Sequence, residues 1–409
     1  FEQVMARVKR VVAEIEPHDS VERYTGLGVD CVLGEAKIAS PWHVEINGEV
    51  LTARSIIIAS GARPFVPPIE GLAEAGYLTS DSVWSLTELP KKFVVLGGGP
   101  IGCELGQAFA RLGSEVTIVE MLDRLLIKED EDVSAVVQQS LERGGLQCLT
   151  GHRAVRVEQD ETGKFLICEG VGSQGVSSEG AGGEVKVPFD QVLVTVGRRA
   201  NTENMGLKGL GIRTRNNGTI ETDKYMRSSV KNIYACGDVA GPYQFTHTAA
   251  HQAWYASVNA LFGMVKKFAV DYSVIPWATF IDPEVAHVGL SELDANEKGI
   301  KYEVTRYGID DLDRAITEGE AHGFVKVLTV PDKDKILGVT IVGHHAAELL
   351  SEFVLAMKVG VGLNKILGTI HLYPGFAEAN KYAAGVWKKA HQPEGLLKWV
   401  RRFHAWRRN

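Results

Sequence analysis

The sequence predicts an α/β fold of more than one domain, with a βαβ unit set inside a longer parallel-sheet segment and an α+β domain after it. Three observations predict it. First, 409 residues exceed what one hydrophobic core usually supports. Second, the runs Ile56-Ile57-Ile58, Phe93-Val94-Val95-Leu96, Val116-Thr117-Ile118-Val119 and "QVLVTVG" (191–197) look like strands buried on both faces, as in parallel sheets. Third, the texture changes after Tyr272 to long alternating strands, "GFVKVLTVP" and "KILGVTIVG", followed by a helix over Ala346 to Met357.

In chain order, Val4, Val8, Val11, Val12 and Ile15 make an amphipathic helix that opens at Phe1 without a capping residue. "VDCVLGEAKI", "WHVEING" and "EVLTARSIIIASGARP" read as strands with turns between them. From Phe93 to about Gly145 the pattern is strand, glycine turn, helix (Cys103 to Leu112), strand, helix (Asp132 to Arg143), which is a βαβ unit. Short strands follow, interrupted by "GVGSQGVSSEGAGGE" (170–184), whose Gly and Ser content predicts a flexible surface loop. "KNIYACGDVAG" leads into a helix over about Thr248 to Phe262. The segments at 56–64 and 192–200 echo each other weakly, as expected if the chain leaves one domain and later returns to it.

Composition excludes several function classes. With 45% apolar and 23% charged residues the chain is of ordinary globular composition, and no stretch of 18 or more uncharged apolar residues offers a membrane span. A net charge of −7 argues against general affinity for nucleic acid. The five cysteines, Cys31, Cys103, Cys148, Cys168 and Cys236, are odd in number and widely spaced. That predicts a reducing, cytoplasmic setting with neither a disulfide framework nor a zinc cluster.

The strongest motif is "GGGPIGCELG" (97–106), a GxGxxG in strand, turn, helix context. Gly97 would allow the tight turn, Gly99 the close approach of a pyrophosphate, and Gly102 the packing of helix on strand. Glu120 lies 18 residues past Gly102 at the end of the next strand, where a carboxylate accepts hydrogen bonds from ribose hydroxyls and repels a 2′-phosphate, favouring NADH over NADPH. Arg124 is the reservation, since it could serve a 2′-phosphate instead. In "YACGDV", Gly237-Asp238 follows a short apolar strand and suits the hydroxyls of a polyol, though alone it could be a plain turn.

Together and in this order, "IIIASGARP", "GGGPIGCELGQAFARLGSEVTIVE", "VLVTVGRR" and "NIYACGDVAG" resemble the pyridine nucleotide-disulfide oxidoreductase family, which includes lipoamide dehydrogenase and mercuric reductase. The resemblance implies an α/β fold of two nested Rossmann-like dinucleotide-binding domains plus a C-terminal α+β dimerisation domain. It divides the chain into an FAD-binding part (1–78), an NAD(P)-binding domain (79–198), a second FAD-binding part (199–270), an interface domain (271–390) that builds a homodimer, and a basic tail (391–409). It also implies FAD and NAD(H) as cofactors, NADP(H) less so, no metal, and hydride passing from the nicotinamide nucleotide through flavin to a disulfide, thiol or soft-metal acceptor.

Carried over by residue, Asp238 would bind the flavin polyol, and the helix after His247-Thr248-Ala249 would aim its N-terminus at the flavin ring. Glu104 would sit near the nicotinamide, unless it is an ordinary helix carboxylate. Gly61 and Gly197 would mark the crossings between domains, and Cys103 and Cys236 would be packing residues. The family's first glycine fingerprint and its pair of cysteines four residues apart have no counterpart after Phe1, so the chain is expected to be a fragment that retains flavin weakly.

"TIHLYPGFAEANKYAAG" (369–385) departs from the disulfide reductases of the family. Pro374 and Glu378 keep the spacing of their His/Glu acid-base pair, but Tyr373 precedes the proline, as in mercuric reductase and the soluble transhydrogenase. His371 is two residues back, about 7 Å along an extended segment. Tyr373 and Glu378 remain the catalytic candidates there, with Tyr373 either a proton donor or a filler of the dimer interface. Two alternatives stay open: a transhydrogenase-like flavoprotein without redox cysteines, and a non-catalytic nucleotide-binding fragment. The tail "KKAHQPEGLLKWVRRFHAWRRN" reads as a basic amphipathic helix that contacts a membrane surface or partner, or tucks against its own dimer.

Overall fold

The computed structural model describes residues 1–171 and 183–408; the predicted flexible loop falls largely on 172–182, outside the described residues. The chain divides into two compact units, Phe1–Asp123 with Gly145–Asp271, and Arg124–Gly144 with Tyr272–Asn409.

At the centre of the first unit is a five-stranded parallel sheet in the order Leu78–Thr79, Gln191–Val194, Lys92–Leu96, Glu115–Val119, Gln147–Leu149. Phe93 to Leu96 and Val192 to Val194 are all buried, as strands covered on both faces require. Helix Pro100–Leu112 starts with Pro at its first position and ends on Gly113 at φ 108°, the usual asymmetry of helix ends. The three-residue strand Ile56–Ile58 pairs in parallel with Ile233–Ala235. Two echoing segments meet directly: Ala62–Pro64 pairs antiparallel with Arg198–Ala200.

Three local expectations change. The strand expected over "VDCVLGEAKI" begins only at Lys37, and residues 29–35 are exposed, because one apolar alternation without a sheet face to cover it does not make a strand. The amphipathic first helix forms over Glu2–Ile15 but buries only Met5, leaving Val12 and Ile15 exposed. The strands after Gly145 are longer than read: His152–Asp160, Gly163–Gly170 and Val185–Phe189 form an antiparallel sheet.

The second unit is a five-stranded antiparallel sheet in the order Pro276–Thr279, Glu284–Gly289, Ile336–Gly343, Phe324–Thr329, Glu303–Gly308. Helices Ala346–Val359 and Glu378–Ala390 share one core with it, through Leu350, Phe353, Ala383 and Trp387. Helix Glu131–Arg143 connects the parallel strands Glu115–Val119 and Gln147–Leu149, as the βαβ reading has it, and groups with the second unit by its contacts. The buried Lys326 ammonium donates to Asp130 (2.7 Å), Asp132 (2.6 Å) and Glu292 (3.0 Å), and the Trp277 indole N–H donates to Glu129 Oε1 (2.8 Å). These carboxylates therefore close on a lysine.

Candidate functional site

The glycine loop is built from three different constraints. Gly97 has φ 113°, a left-handed conformation that favours glycine. Thr195 clamps it, its hydroxyl lying 3.0 Å from Leu96 O and 3.1 Å from Gly97 O. A Cβ at Gly102 would collide with the Gly97 carbonyl oxygen and lie 2.9 Å from Thr195 Oγ1, so helix and strand can close only over a hydrogen atom. At Gly99, the helix N-cap, φ is −77° and nothing lies within 4 Å of the Cβ position. The first glycine turns, the third packs, and the second keeps open space in front of the unpaired N–H groups of a helix N-terminus, the arrangement that takes an anionic pyrophosphate.

Glu120 closes the same loop. Gly98 N–H donates to its Oε2 (2.6 Å) and Leu122 N–H to its Oε1 (2.8 Å), so the half-buried carboxylate is held in one orientation between loop and turn. Each oxygen keeps a second lone pair for a diol. Arg124, by contrast, reaches the Ile127 carbonyl (3.4 Å). Glu104 is half-buried in the first turns of the helix, beside Cys103, whose thiol burial pushes well up.

After the separate two-stranded parallel sheet, Gly237 has φ 74° and Asp238 follows in a single 3₁₀ turn after Ile233–Ala235. Gln252 ties this turn to helix Thr246–Phe262. Its Oε1 accepts from Gly237 N–H (2.7 Å) and its Nε2 donates to Gly241 O (3.0 Å). A Cβ on Gly237 would come to 3.3 Å from that of Ala249. Ala249 N–H donates to Phe245 O (2.8 Å), and its methyl leaves a small surface beside Gly237. In the same turn Thr248 is buried and its hydroxyl has no partner among the described residues.

Arg198 Nε stands 3.4 Å from Asp238 Oδ2, while its Nη2 donates to Ala62 O (2.7 Å). Gly61 (φ 67°) and Gly197 (φ 139°) each have open space at the Cβ position and flank the paired strands 62–64 and 198–200. A carboxylate at a strand end, an orphaned buried hydroxyl, a helix N-terminus and open glycines fit the polyol and ring portions of a flavin nucleotide.

In the second unit, Tyr373 is 65% exposed and donates to Asp313 Oδ2 (2.8 Å), which holds its phenol above the ordinary value. Glu378 is buried and accepts from Tyr382 OH (3.1 Å) and Gly375 N–H (3.3 Å). His371 pairs instead with Glu352 (3.0 and 3.1 Å), and Asn380 Nδ2 donates to the same carboxylate (2.9 Å). Sequence reasoning missed Gln252, Arg198, Thr195, Thr248 and Glu352. Gln252 and Glu352 sit in no motif and act across separations that only the fold closes, whereas Thr195 and Arg198 lie within "VLVTVGRR" and Thr248 within the start of the helix, where the sequence shows the residue but not its contacts.

Known proteins place this geometry. The family model for the pyridine nucleotide-disulphide oxidoreductases matches residues 3–253, and the model for their dimerisation domain matches 275–384. A mercuric reductase of Staphylococcus aureus is 35% identical over 366 residues, covering 90% of this chain, which spans 64% of that protein's length. A dihydrolipoyl dehydrogenase of Thermus scotoductus is also 35% identical over 366 residues, 88% of this chain and 75% of the relative. Among solved structures, the HOCl-induced flavoprotein disulfide reductase RclA from Escherichia coli superposes with a TM-score of 0.82 at 25% identity, over 94% of this chain and 86% of that one. The chain belongs to the pyridine nucleotide-disulphide oxidoreductase family.

Proposed function

We propose that the chain carries the nicotinamide and flavin half-sites of an oxidoreductase that takes hydride from NADH in preference to NADPH and delivers electrons to a disulfide, thiol or soft-metal acceptor. The observation that carries this reading is Glu120, fixed by two backbone N–H groups at the end of the strand after the glycine loop. In that position it accepts hydrogen bonds from a ribose diol and repels a 2′-phosphate. Bound FAD would supply the two-electron relay between nicotinamide and acceptor.

The residues' own parts follow from their chemistry. Gly97, Gly99 and Gly102 let the helix N-terminus hold a pyrophosphate. Glu104 stands at the reacting end of the nicotinamide. Asp238 accepts from the flavin polyol, with Arg198 balancing its charge. The open backbone at Gly61, Gly197 and Gly237 lets a long ligand run close by, and the helix start at Thr246 to Ala249 favours negative charge on the ring.

In the interface domain Tyr373, kept protonated beside Asp313, serves as a hydrogen-bond and proton donor, and Glu378 shapes the loop that carries it. The dimerisation-domain match supports a homodimer, and the widely spaced cysteines suit a reducing cytoplasm. The mercuric reductases and dihydrolipoyl dehydrogenases among the relatives support the acceptor class.

A transhydrogenase-like flavoprotein, passing electrons between nucleotides without a dithiol, is a second reading that Tyr373 before Pro374 tolerates. Burial raises the thiols of Cys103 and Cys236 and pushes Cys168 up to about 12, which suits packing residues under either reading. Exchanging Glu120 for Ala separates the nucleotide assignment from the rest. NADH-driven dye reduction should fall by about tenfold or more while NADPH-driven reduction holds or rises; an unchanged NADH/NADPH ratio would sink it.

A further inference from the structure

Helix Glu394–Arg408 lies past the dimerisation-domain match and none of its 15 residues is buried. A helix of that length is marginal in water on its own propensity, so its apolar side calls for a surface to cover it. Leu396, Trp399, Val400, Phe403 and Trp406 recur at helical spacing on one face. Trp399 and Phe403 are stacked at 5.6 Å, and Trp399 and Trp406 are 61% and 74% exposed.

Lys398, Arg401, Arg402 and Arg408 occupy the opposite side, with Glu394 the helix's one acid. Arg407 falls within the apolar arc, its guanidinium 5.8 Å from the Phe403 ring, an apolar stem with its charge at the rim. In a chain of net charge −7 this helix carries five Lys and Arg against one acid.

We propose that this helix binds the headgroup region of an anionic lipid bilayer, lying in the interface with its aromatics inward. Indole rings suit the headgroup boundary, and a cationic flank matches acidic lipids but neither zwitterionic lipid nor the acidic body of a second copy. No described helix is long and apolar enough to cross a membrane.

The test is co-sedimentation of the full chain with phosphatidylcholine vesicles, with and without phosphatidylglycerol. Binding is expected to the anionic vesicles only, falling as salt rises, with a blue shift in tryptophan fluorescence. R401Q/R402Q should weaken it roughly 30-fold, and W399A/W406A should abolish the shift. Since these side chains are unburied, each variant should keep the parent's melting temperature.

Equal binding to neutral vesicles, no binding, or binding indifferent to R401Q/R402Q would overturn the proposal. So would an oligomeric state that collapses in W399A/W406A without any vesicle binding, which would give the face to a second copy.

Discussion

Replacing Gly99 and Gly102 by Ala, one at a time, separates two jobs that the glycine motif merges. At Gly102 the new methyl would meet the Gly97 carbonyl oxygen inside contact distance and Thr195 Oγ1 at 2.9 Å, while Thr195 itself holds that carbonyl. Neither neighbour can retreat without opening the strand-to-helix turn, so the cost is that of overpacking, about 1–3 kcal/mol. Thermal midpoint should drop by roughly 2–12 °C, and NADH binding should fall with it as the loop distorts.

At Gly99, φ −77° suits any residue and the Cβ position is open, so the apoprotein should stay within about 1 kcal/mol of the parent. The methyl would instead occupy the space proposed for the pyrophosphate. Losing one charge-assisted hydrogen bond there costs about 1.5–3 kcal/mol, or roughly 10- to 150-fold in NADH affinity. Calorimetric melting and NADH titration read the two effects. A Gly102→Ala protein as stable as its parent would refute the packing argument. A Gly99→Ala protein that binds NADH normally would refute the assignment of the open space.

Other consequences concern the second unit and the proton donor. Lys326→Met strands buried Asp130 without its cation, which should cost about 3–5 kcal/mol in denaturant unfolding; a loss under 1 kcal/mol would contradict it. Burial works against ionisation of Asp130, but Lys326 and the N–H groups of Leu293 and Glu292 outweigh it and lower its pKa. Its stabilisation is therefore present above the unfolded carboxylate value and is lost as pH falls through the depressed folded one.

His391 runs the other way. The Trp387 carbonyl, then Glu303, raise it against burial from an ordinary 6.5. Its contribution is complete below 6.5 and disappears as pH climbs through the raised folded value, so the stability gap between parent and His391→Gln should close in alkaline melts. A gap constant with pH would count against this. Tyr373→Phe removes the hydrogen bond to Asp313 and the acidic proton, and should slow acceptor reduction while leaving NADH affinity unchanged; equal acceptor turnover would make the residue an interface filler.

Legibility in the sequence followed locality. The glycine spacing, Glu120 and Gly237-Asp238 were readable because each requirement lies within one strand-turn-helix passage, where chain direction alone determines what can touch. The echo of residues 56–64 in 192–200 was readable as a pattern, but its antiparallel pairing depends on the two segments meeting in space. Lys326 looks in sequence like the outward residue of an alternating strand. It is 1% exposed because Asp130, Asp132 and Glu292 arrive from elsewhere to neutralise it.

His371 shows the same limit. Its displacement from the position before Pro374 was visible, whereas its commitment to Glu352, on helix Ala346–Val359, was not. The run "VDCVLGEAKI" failed for the opposite reason: alternation is a statement about a face, and residues 29–35 have no face to rest on.

The central claim is that one chain holds nicotinamide and flavin so that the first reduces the second. Its most direct test is the visible spectrum of the chain loaded with FAD, recorded without oxygen before and after one equivalent of NADH. Bleaching of the flavin band in proportion to NADH, and weaker bleaching with NADPH, is the predicted result. A flavin band that NADH leaves unchanged would contradict the account.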